Sequence, residues 1–281
     1  MGTLPAEGTL AREGVVASAD GTKLSYRAWP RAGATISLAV VHGLGDHSRR
    51  YERFAMGMAR HGFATFAVDL RGHGKSEGRR GHVDSWRQWT EDVAAFVALV
   101  EDLAGGEVVP VGHSFGGAAL LSTMLAHKLP DTKRFVVSSP ALRLKVAVPG
   151  WKIALGRATA VVLPGLTLDN EVDATTLSRL PEVVEAYRTD PLVHRKISSR
   201  LYGEWRAACN AIFERADEIM VPFLILAGTH DRLIDPGGSE ELHRRSESMS
   251  VLRLLEGRYH EPFNDVGSEE VFALIADWLS G

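Results

Sequence analysis

Residues 108–121, VVPVGHSFGGAALL, contain a strand-like apolar run that ends at Gly112. Ser114 follows, and the small residues from Gly116 to Ala119 open a helical pattern directly after it. Small residues two places before and two places after a serine permit a tight strand-to-helix turn, which exposes the serine hydroxyl beyond the edge of a sheet. The stretch therefore predicts that Ser114 is a nucleophile on such a turn.

A second window, GKSEG at residues 74–78, has the same Gly-x-Ser-x-Gly pattern. Residues 70–74, LRGHG, separate it from the preceding apolar run, and residues 79–86, RRGHVDSW, are not a helix start. Ser76 is therefore predicted to lie in a glycine-rich polar loop rather than at a second active site.

The rest of the chain predicts an α/β fold. Two extended runs meet at Asp20-Gly21, a strong hairpin signal. Strand-like apolar runs then alternate with helical patterns, which predicts a mainly parallel sheet with helices on both sides. Between about residues 144 and 208 this alternation stops, and the sequence is helix-like and interrupted by prolines, without a clear strand. We therefore predict a core domain of residues 1–143 and 209–281, with residues 144–208 as an insertion.

A serine hydroxyl needs a base to take its proton and an acid to orient that base, and in this architecture the chain order is serine, acid, histidine. For the acid, Asp231 at the exit of a strand is preferred to Asp235, whose position before Pro236 is explained by helix capping. For the base, His260 in a loop after a strand is preferred to His243, which lies inside a helical pattern.

The oxyanion of an acyl-transfer reaction also needs hydrogen-bond donors. The backbone N–H of Phe115 would come with the turn, and the loop HGLG at residues 42–45 would supply a second donor, the N–H of Leu44. The preferred interpretation of the His42 side chain is hydrogen-bonded packing rather than proton transfer.

Composition excludes several classes of protein. A formal net charge of −3 shows no basic excess, so nucleic acid is not an expected partner. Cys209 is the only cysteine, which excludes an internal disulfide and a cysteine-based metal site and suits a reducing compartment. The first residues lack the apolar segment of a secretory signal, and no run approaches the length of a membrane span. We expect a cytoplasmic protein, and nothing in the pattern indicates an oligomeric state.

Five segments together resemble the monoacylglycerol lipase and lysophospholipase group of the α/β hydrolases. They are HGLGDHSRRY, DLRGHGKSEGRRGHV, GHSFGG, GTHDRLIDP and EGRYHEPFND. The resemblance implies the α/β-hydrolase fold, places the triad at Ser114, Asp231 and His260, and makes residues 144–208 a helical cap over the active site. Asp46 stands where the family usually has Glu.

The resemblance also implies a serine hydrolase that cleaves monoacylglycerol through an acyl-enzyme, without metal or cofactor. Alternatives are a lysophospholipase, a general medium-chain carboxylesterase, or a non-catalytic receptor on the same fold. Apolar residues of the cap could line an acyl tunnel, pack the cap onto the core, or contact a lipid surface transiently. In the third case the protein would be peripheral to a membrane. The predicted substrate-binding residues are His42, Gly43, His113, Trp151, Leu155 and Leu163.

Overall fold

The computed structural model describes residues 11–145 and 165–281. Eight strands form one sheet in the order β1-β2-β4-β3-β5-β6-β9-β10. The first two form the predicted hairpin, β2 runs antiparallel to β4, and all other neighbours are parallel. The strands are β1 (Arg12–Ala17), β2 (Lys23–Trp29), β3 (Ile36–Val41), β4 (Ala64–Val68), β5 (Glu107–His113), β6 (Phe135–Ser138), β9 (Phe223–Gly228) and β10 (Ser250–Leu255).

The sheet is covered on both faces, which explains its continuous apolar strands. In β3, Leu38 and Val40 join one buried cluster, while Ala39 and Val41 join the other, as the two-residue period of a strand requires. Helices α2, α3, α5 and α6 contribute to the cluster on one face, and α1 and α7 to the other. The helices are α1 (Glu52–Arg60), α2 (Trp86–Ala104), α3 (Phe115–Leu125), α4 (Pro181–Thr189), α5 (Ser199–Glu214), α6 (Pro236–Arg245) and α7 (Ser268–Ser280).

The described part of the predicted insertion, residues 165–208, contains helix α4 and the start of α5. It also contains a ribbon that sequence analysis did not anticipate, made of β7 (Thr167–Asp169) and β8 (Lys196–Ser198) in antiparallel pairing. Strands of three residues are too short to show a period of two, so the pattern carried no signal for them.

The predicted end of the insertion, after residue 208, falls inside α5. Leu201, Trp205 and Ile212 of this helix belong to the main core cluster, so the helix packs on the core along its length. The division into two domains stays a prediction. Trp151, Leu155 and Leu163 lie outside the described residues. No helix in the described ranges combines the length and apolarity that crossing a bilayer demands.

Candidate active site

Ser114 lies between β5 and α3 in a backbone conformation that serine rarely adopts, with φ 53° and ψ −121°. Close packing around the turn explains the neighbouring glycines. A Cβ atom on Gly112 would lie 2.7 Å from the Cα atom of Gly117, and one on Gly116 would overlap the carbonyl oxygens of Val41 and His42. Strained conformations of this kind persist where the surrounding structure enforces them, and they concentrate at functional sites.

His260 and Asp231 complete a chain of hydrogen bonds with this serine. The Ser114 Oγ atom lies 3.0 Å from His260 Nε2, and His260 Nδ1 lies 2.7 Å from Asp231 Oδ2. The other carboxylate oxygen, Asp231 Oδ1, accepts the backbone N–H groups of Leu233 (2.8 Å) and Ile234 (2.9 Å), which fix its orientation. All three triad side chains are buried. The arrangement lets Nδ1 donate to the carboxylate while Nε2 accepts the serine proton.

Electrostatics in this chain favour an imidazole that can hold a proton. Burial by itself would lower the pKa of His260, but the charge and hydrogen bond of Asp231 outweigh it, and the pKa is raised above its ordinary value. Burial would raise the pKa of Asp231, yet His260 and the two backbone donors bring it below its ordinary value. Asp231 therefore stays ionised beside a histidine that becomes a stronger base.

The alternative residues have other partners. Asp235 caps α6 by accepting the N–H of Gly237 at 3.1 Å, as its position before Pro236 predicted. His243 is hydrogen-bonded to Ser250 Oγ at 2.7 Å. The Ser76 hydroxyl accepts the N–H of Ser25 and donates to the carbonyl of Asp69, so it ties the glycine-rich loop to β2.

The loop after β3 forms a tight turn against Ser114. The Asp46 N–H donates to the Gly43 carbonyl at 3.3 Å, and Gly45 within the turn has φ +78°. A Cβ atom on Gly43 would lie only 3.0 Å from the Cβ atom of Ser114. Leu44 and Phe115 both line the cavity into which Ser114 opens. We call residues 43–46 the oxyanion turn, after the oxyanion donor that the sequence predicts at Leu44.

The two histidines predicted to bind substrate occupy different positions. His42 is fully buried, and the Leu70 N–H donates to its Nε2 at 3.0 Å while its Nδ1 donates to the Gly43 carbonyl at 2.7 Å. Its ring therefore supports the oxyanion turn through hydrogen bonds, and among the described residues it is not part of the cavity lining, so its role in substrate binding stays a prediction. His113 does line the cavity, with its ring 4.9 Å from that of His260, and burial lowers its pKa to about 3. His113 is therefore neutral.

The cavity has a volume of about 450 Å³ and is bounded partly by the core and partly by residues 170–187 of the insertion. Its mixed lining suits a ligand with an apolar part and a polar part. The apolar side chains are Leu44, Phe115, Leu144, Val172, Leu177, Leu233 and Ile234, and the polar ones include Asp46, Arg50, Asn170, Tyr187 and Glu261.

A buried charged cluster in this lining was not predicted from the sequence. Arg50 donates to both carboxylate oxygens of Glu261 (2.9 and 2.8 Å) and to Asp46 (3.1 Å), and it lies 4.9 Å over the Tyr187 ring. Burial would lower the pKa of Arg50, but the two carboxylates raise it above its ordinary value. Two carboxylates against one guanidinium leave this cluster, Asp46–Arg50–Glu261, with a net charge of −1. The sequence signals for it were the position of Glu261 next to His260 and the presence of Asp46 where the family usually has Glu.

The insertion is attached to the oxyanion turn by backbone contacts. The His194 N–H donates to the Gly45 carbonyl at 3.1 Å, and the ring of His194 bonds through Nε2 to the Gly72 carbonyl at 3.1 Å. At the other end of β8, the Ser198 N–H donates to the Gly81 carbonyl at 2.8 Å. Residues 194–198 therefore contact the turn beside Ser114 directly.

Comparison with known proteins shows the family of this chain. The family model described as serine aminopeptidase S33 (Hydrolase_4) matches residues 34–267. The chain is 31% identical over 265 residues to an abhydrolase domain-containing protein of Dictyostelium discoideum, covering 93% of this chain and 28% of that longer one. It is 30% identical over 268 residues to a monoacylglycerol lipase of Mycolicibacterium smegmatis, covering 94% and 95% of the two chains.

The crystal structure of a monoacylglycerol lipase from Paleococcus ferrophilus superimposes with a TM-score of 0.79 at 31% identity, covering 96% of this chain and 98% of that one. The fold and the resemblance predicted from the sequence are thus confirmed. The chain belongs to the Hydrolase_4 family of α/β hydrolases, in the monoacylglycerol lipase and lysophospholipase group.

Proposed function

We propose that the protein hydrolyses carboxylic esters of monoacyl lipids, with Ser114 as nucleophile, His260 as general base and acid, and Asp231 as the group that orients His260. The observation that carries this proposal is the hydrogen-bonded chain Ser114–His260–Asp231, at 3.0 and 2.7 Å, on the floor of a partly apolar cavity. A buried carboxylate behind the imidazole stabilises its charged form during the reaction.

The chemistry follows from these positions. As the Ser114 oxygen attacks the ester carbonyl, its proton passes to His260 Nε2. His260 then gives that proton to the departing alcohol oxygen, which leaves an acyl group on Ser114. His260 Nε2 then takes a proton from a water molecule as that water attacks the acyl carbon. It returns this proton to the Ser114 oxygen when the bond to the acyl group breaks, which releases the carboxylic acid and restores the serine hydroxyl.

The backbone N–H groups of Leu44 and Phe115 are the proposed donors to the oxyanion. Gly43 supports this assignment, because its contact with Ser114 brings the oxyanion turn to the side of the nucleophile. Loss of one such donor typically lowers turnover on the order of 10²–10³-fold.

Monoacylglycerol is the favoured substrate. Relatives of matching length are named monoacylglycerol lipase. The charged cluster Asp46–Arg50–Glu261 also favours a substrate whose alcohol part is uncharged. Arg50 is already held by two carboxylates, and the net negative charge of the cluster opposes a phosphate. A lysophospholipid is therefore the second candidate. Non-catalytic binding is disfavoured because the complete triad is assembled.

Transient contact with a lipid surface remains part of the proposal. Leu166 and Leu168, at the described edge of the insertion, expose 43% and 58% of their surface. Binding to liposomes, weakened by Leu168→Asp, is the expected result in a flotation assay, and absence of binding by the wild type would contradict it.

The enzyme assay compares monoacylglycerol, lysophosphatidylcholine and p-nitrophenyl esters of matched chain length. We expect the highest kcat/KM on monoacylglycerol. Ser114→Ala should remove turnover on all three substrates, by at least about 10⁴-fold, while the melting temperature stays close to that of the wild type. Comparable hydrolysis by Ser114→Ala would refute the assignment of the nucleophile.

A further inference from the structure

Asn170 is a polar residue of the insertion to which the proposed chemistry assigns no role. It lines the same cavity as Ser114. Its Nδ2 atom is buried and, within residues 11–145 and 165–281, has no hydrogen-bond partner. A buried donor without a partner is costly, and such groups in folded proteins call for an explanation.

The orientation of this amide is fixed by its neighbours. The Val172 N–H donates to Asn170 Oδ1 at 3.1 Å, a local turn that identifies this atom as the oxygen and leaves the NH₂ group as the unpartnered one. The Asn170 backbone N–H donates to the Arg195 carbonyl at 2.7 Å, so both the side chain and the backbone are held.

The same contacts place the amide beside the oxyanion turn. Asn170 Nδ2 lies 3.9 Å from the position that a Cβ atom on Gly45 would occupy, and the His194 N–H holds this end of the ribbon to the Gly45 carbonyl at 3.1 Å. Gly45 directly precedes Asp46 of the charged cluster. A fixed donor from the insertion therefore lines the same cavity as the carboxylates of the charged cluster.

We propose that Asn170 Nδ2 donates a hydrogen bond to a hydroxyl oxygen on the alcohol part of the substrate, and so selects esters of polyols such as glycerol. A hydroxyl group both accepts and donates, so it can accept from Asn170 while donating to a carboxylate of the cluster. An alcohol part without a hydroxyl would leave the donor without a partner. This inference rests on the proposed function and identifies the residue that recognises the alcohol.

Two ester substrates that share the same acyl chain separate recognition of the alcohol from effects on acyl binding and on the chemical step. They are 1-monooctanoylglycerol and methyl octanoate, which share the octanoyl chain and differ in the alcohol: glycerol offers free hydroxyl groups to the protein, and the methyl group offers none. The variant Asn170→Ser keeps an oxygen that can accept from Val172 but removes the NH₂ group. Asn170→Leu is a second variant of similar size, and the melting temperature of each is measured to verify folding.

Asp169→Ala is the matched control. Asp169 is exposed at the same end of the ribbon, where it accepts the Glu171 N–H at 2.7 Å and pairs with Arg195 at 3.2 Å. Its removal loosens the same turn without removing a group that lines the cavity.

We expect Asn170→Ser and Asn170→Leu to lower kcat/KM for the glycerol ester about 3- to 10-fold, the usual loss for one neutral hydrogen bond. Their kcat/KM for methyl octanoate should stay within about twofold of the wild type, and Asp169→Ala should not change the ratio between the two esters. Equal losses on both esters, or no loss on either, would overturn the inference. If the wild type cleaves methyl octanoate but not the glycerol ester, the proposed substrate fails instead.

Discussion

Replacing Gly45 with alanine should disturb the oxyanion turn from the side of the insertion. Gly45 has φ +78°, a conformation that residues with a Cβ atom rarely adopt. The new Cβ atom would also overlap the carbonyl oxygen of His194, so the ribbon and the turn must separate. That separation breaks the His194 N–H to Gly45 carbonyl hydrogen bond of 3.1 Å.

The expected loss in the free energy of unfolding is the sum of two contributions. The left-handed backbone conformation costs about 1–2 kcal/mol for a residue with a Cβ atom. The lost hydrogen bond adds about 0.5–1.5 kcal/mol, for a total loss in the free energy of unfolding of about 1.5–3.5 kcal/mol. Folded domains typically have about 5–15 kcal/mol of stability, so the protein should remain folded at 25 °C. Turnover should fall at least about tenfold, because the Leu44 N–H lies next to the displaced residue and a lost donor costs up to about 10³-fold.

Gly81→Ala is the matched control for this experiment. Gly81 also has a positive φ, +64°, its Cβ atom would overlap the carbonyl oxygen of Lys196, and it accepts the Ser198 N–H at 2.8 Å. Gly81→Ala therefore introduces the same kind of backbone strain and a similar overlap with the segment around β8, but at a site away from the oxyanion turn. Both variants are compared by urea denaturation and by kcat on a p-nitrophenyl ester at 25 °C. Equal losses of kcat in the two variants would refute the reasoning.

Three further predictions concern the triad and its surroundings. Asp231→Asn should lower kcat on the order of 10⁴-fold at nearly unchanged stability, whereas Asp235→Asn should leave kcat intact. Measurement of kcat for both variants tests this, and a larger loss in Asp235→Asn would show that Asp235 is the acid. The acid limb of the kcat/KM profile should have its midpoint above pH 6.5, because His260 must be neutral to accept a proton and its pKa is raised. Glu261→Gln removes one of the charges that raise this pKa, so the midpoint should move to lower pH; an unmoved or higher midpoint would contradict the electrostatic argument.

The turn at Ser114, the strands of the main sheet and the hairpin at Asp20-Gly21 were all predictable from the chain. Each depends on interactions inside a short window: the steric demands of a tight turn, the burial of a strand on both faces, or a positive φ. The choice between Asp231 and Asp235 was also local, because capping explains Asp235. The order of these residues along the chain and their positions in loops then indicated Ser114, Asp231 and His260 as the candidate triad.

Other features follow from folding and leave no local pattern. The Arg50–Glu261 pair joins residues 211 positions apart, and Asn170 is held beside the oxyanion turn by contacts of His194 and Arg195, which precede β8. For His42 the sequence favoured hydrogen-bonded packing, but only the folded chain shows that its partners are Gly43 and Leu70. Hydrogen bonds between distant segments depend on where side chains converge in space, and neither periodicity nor composition encodes that convergence. The sequence therefore specifies the strand-to-helix turn at Ser114 and the sheet behind it, whereas the polar lining of the cavity arises when residues 170–187 meet the core.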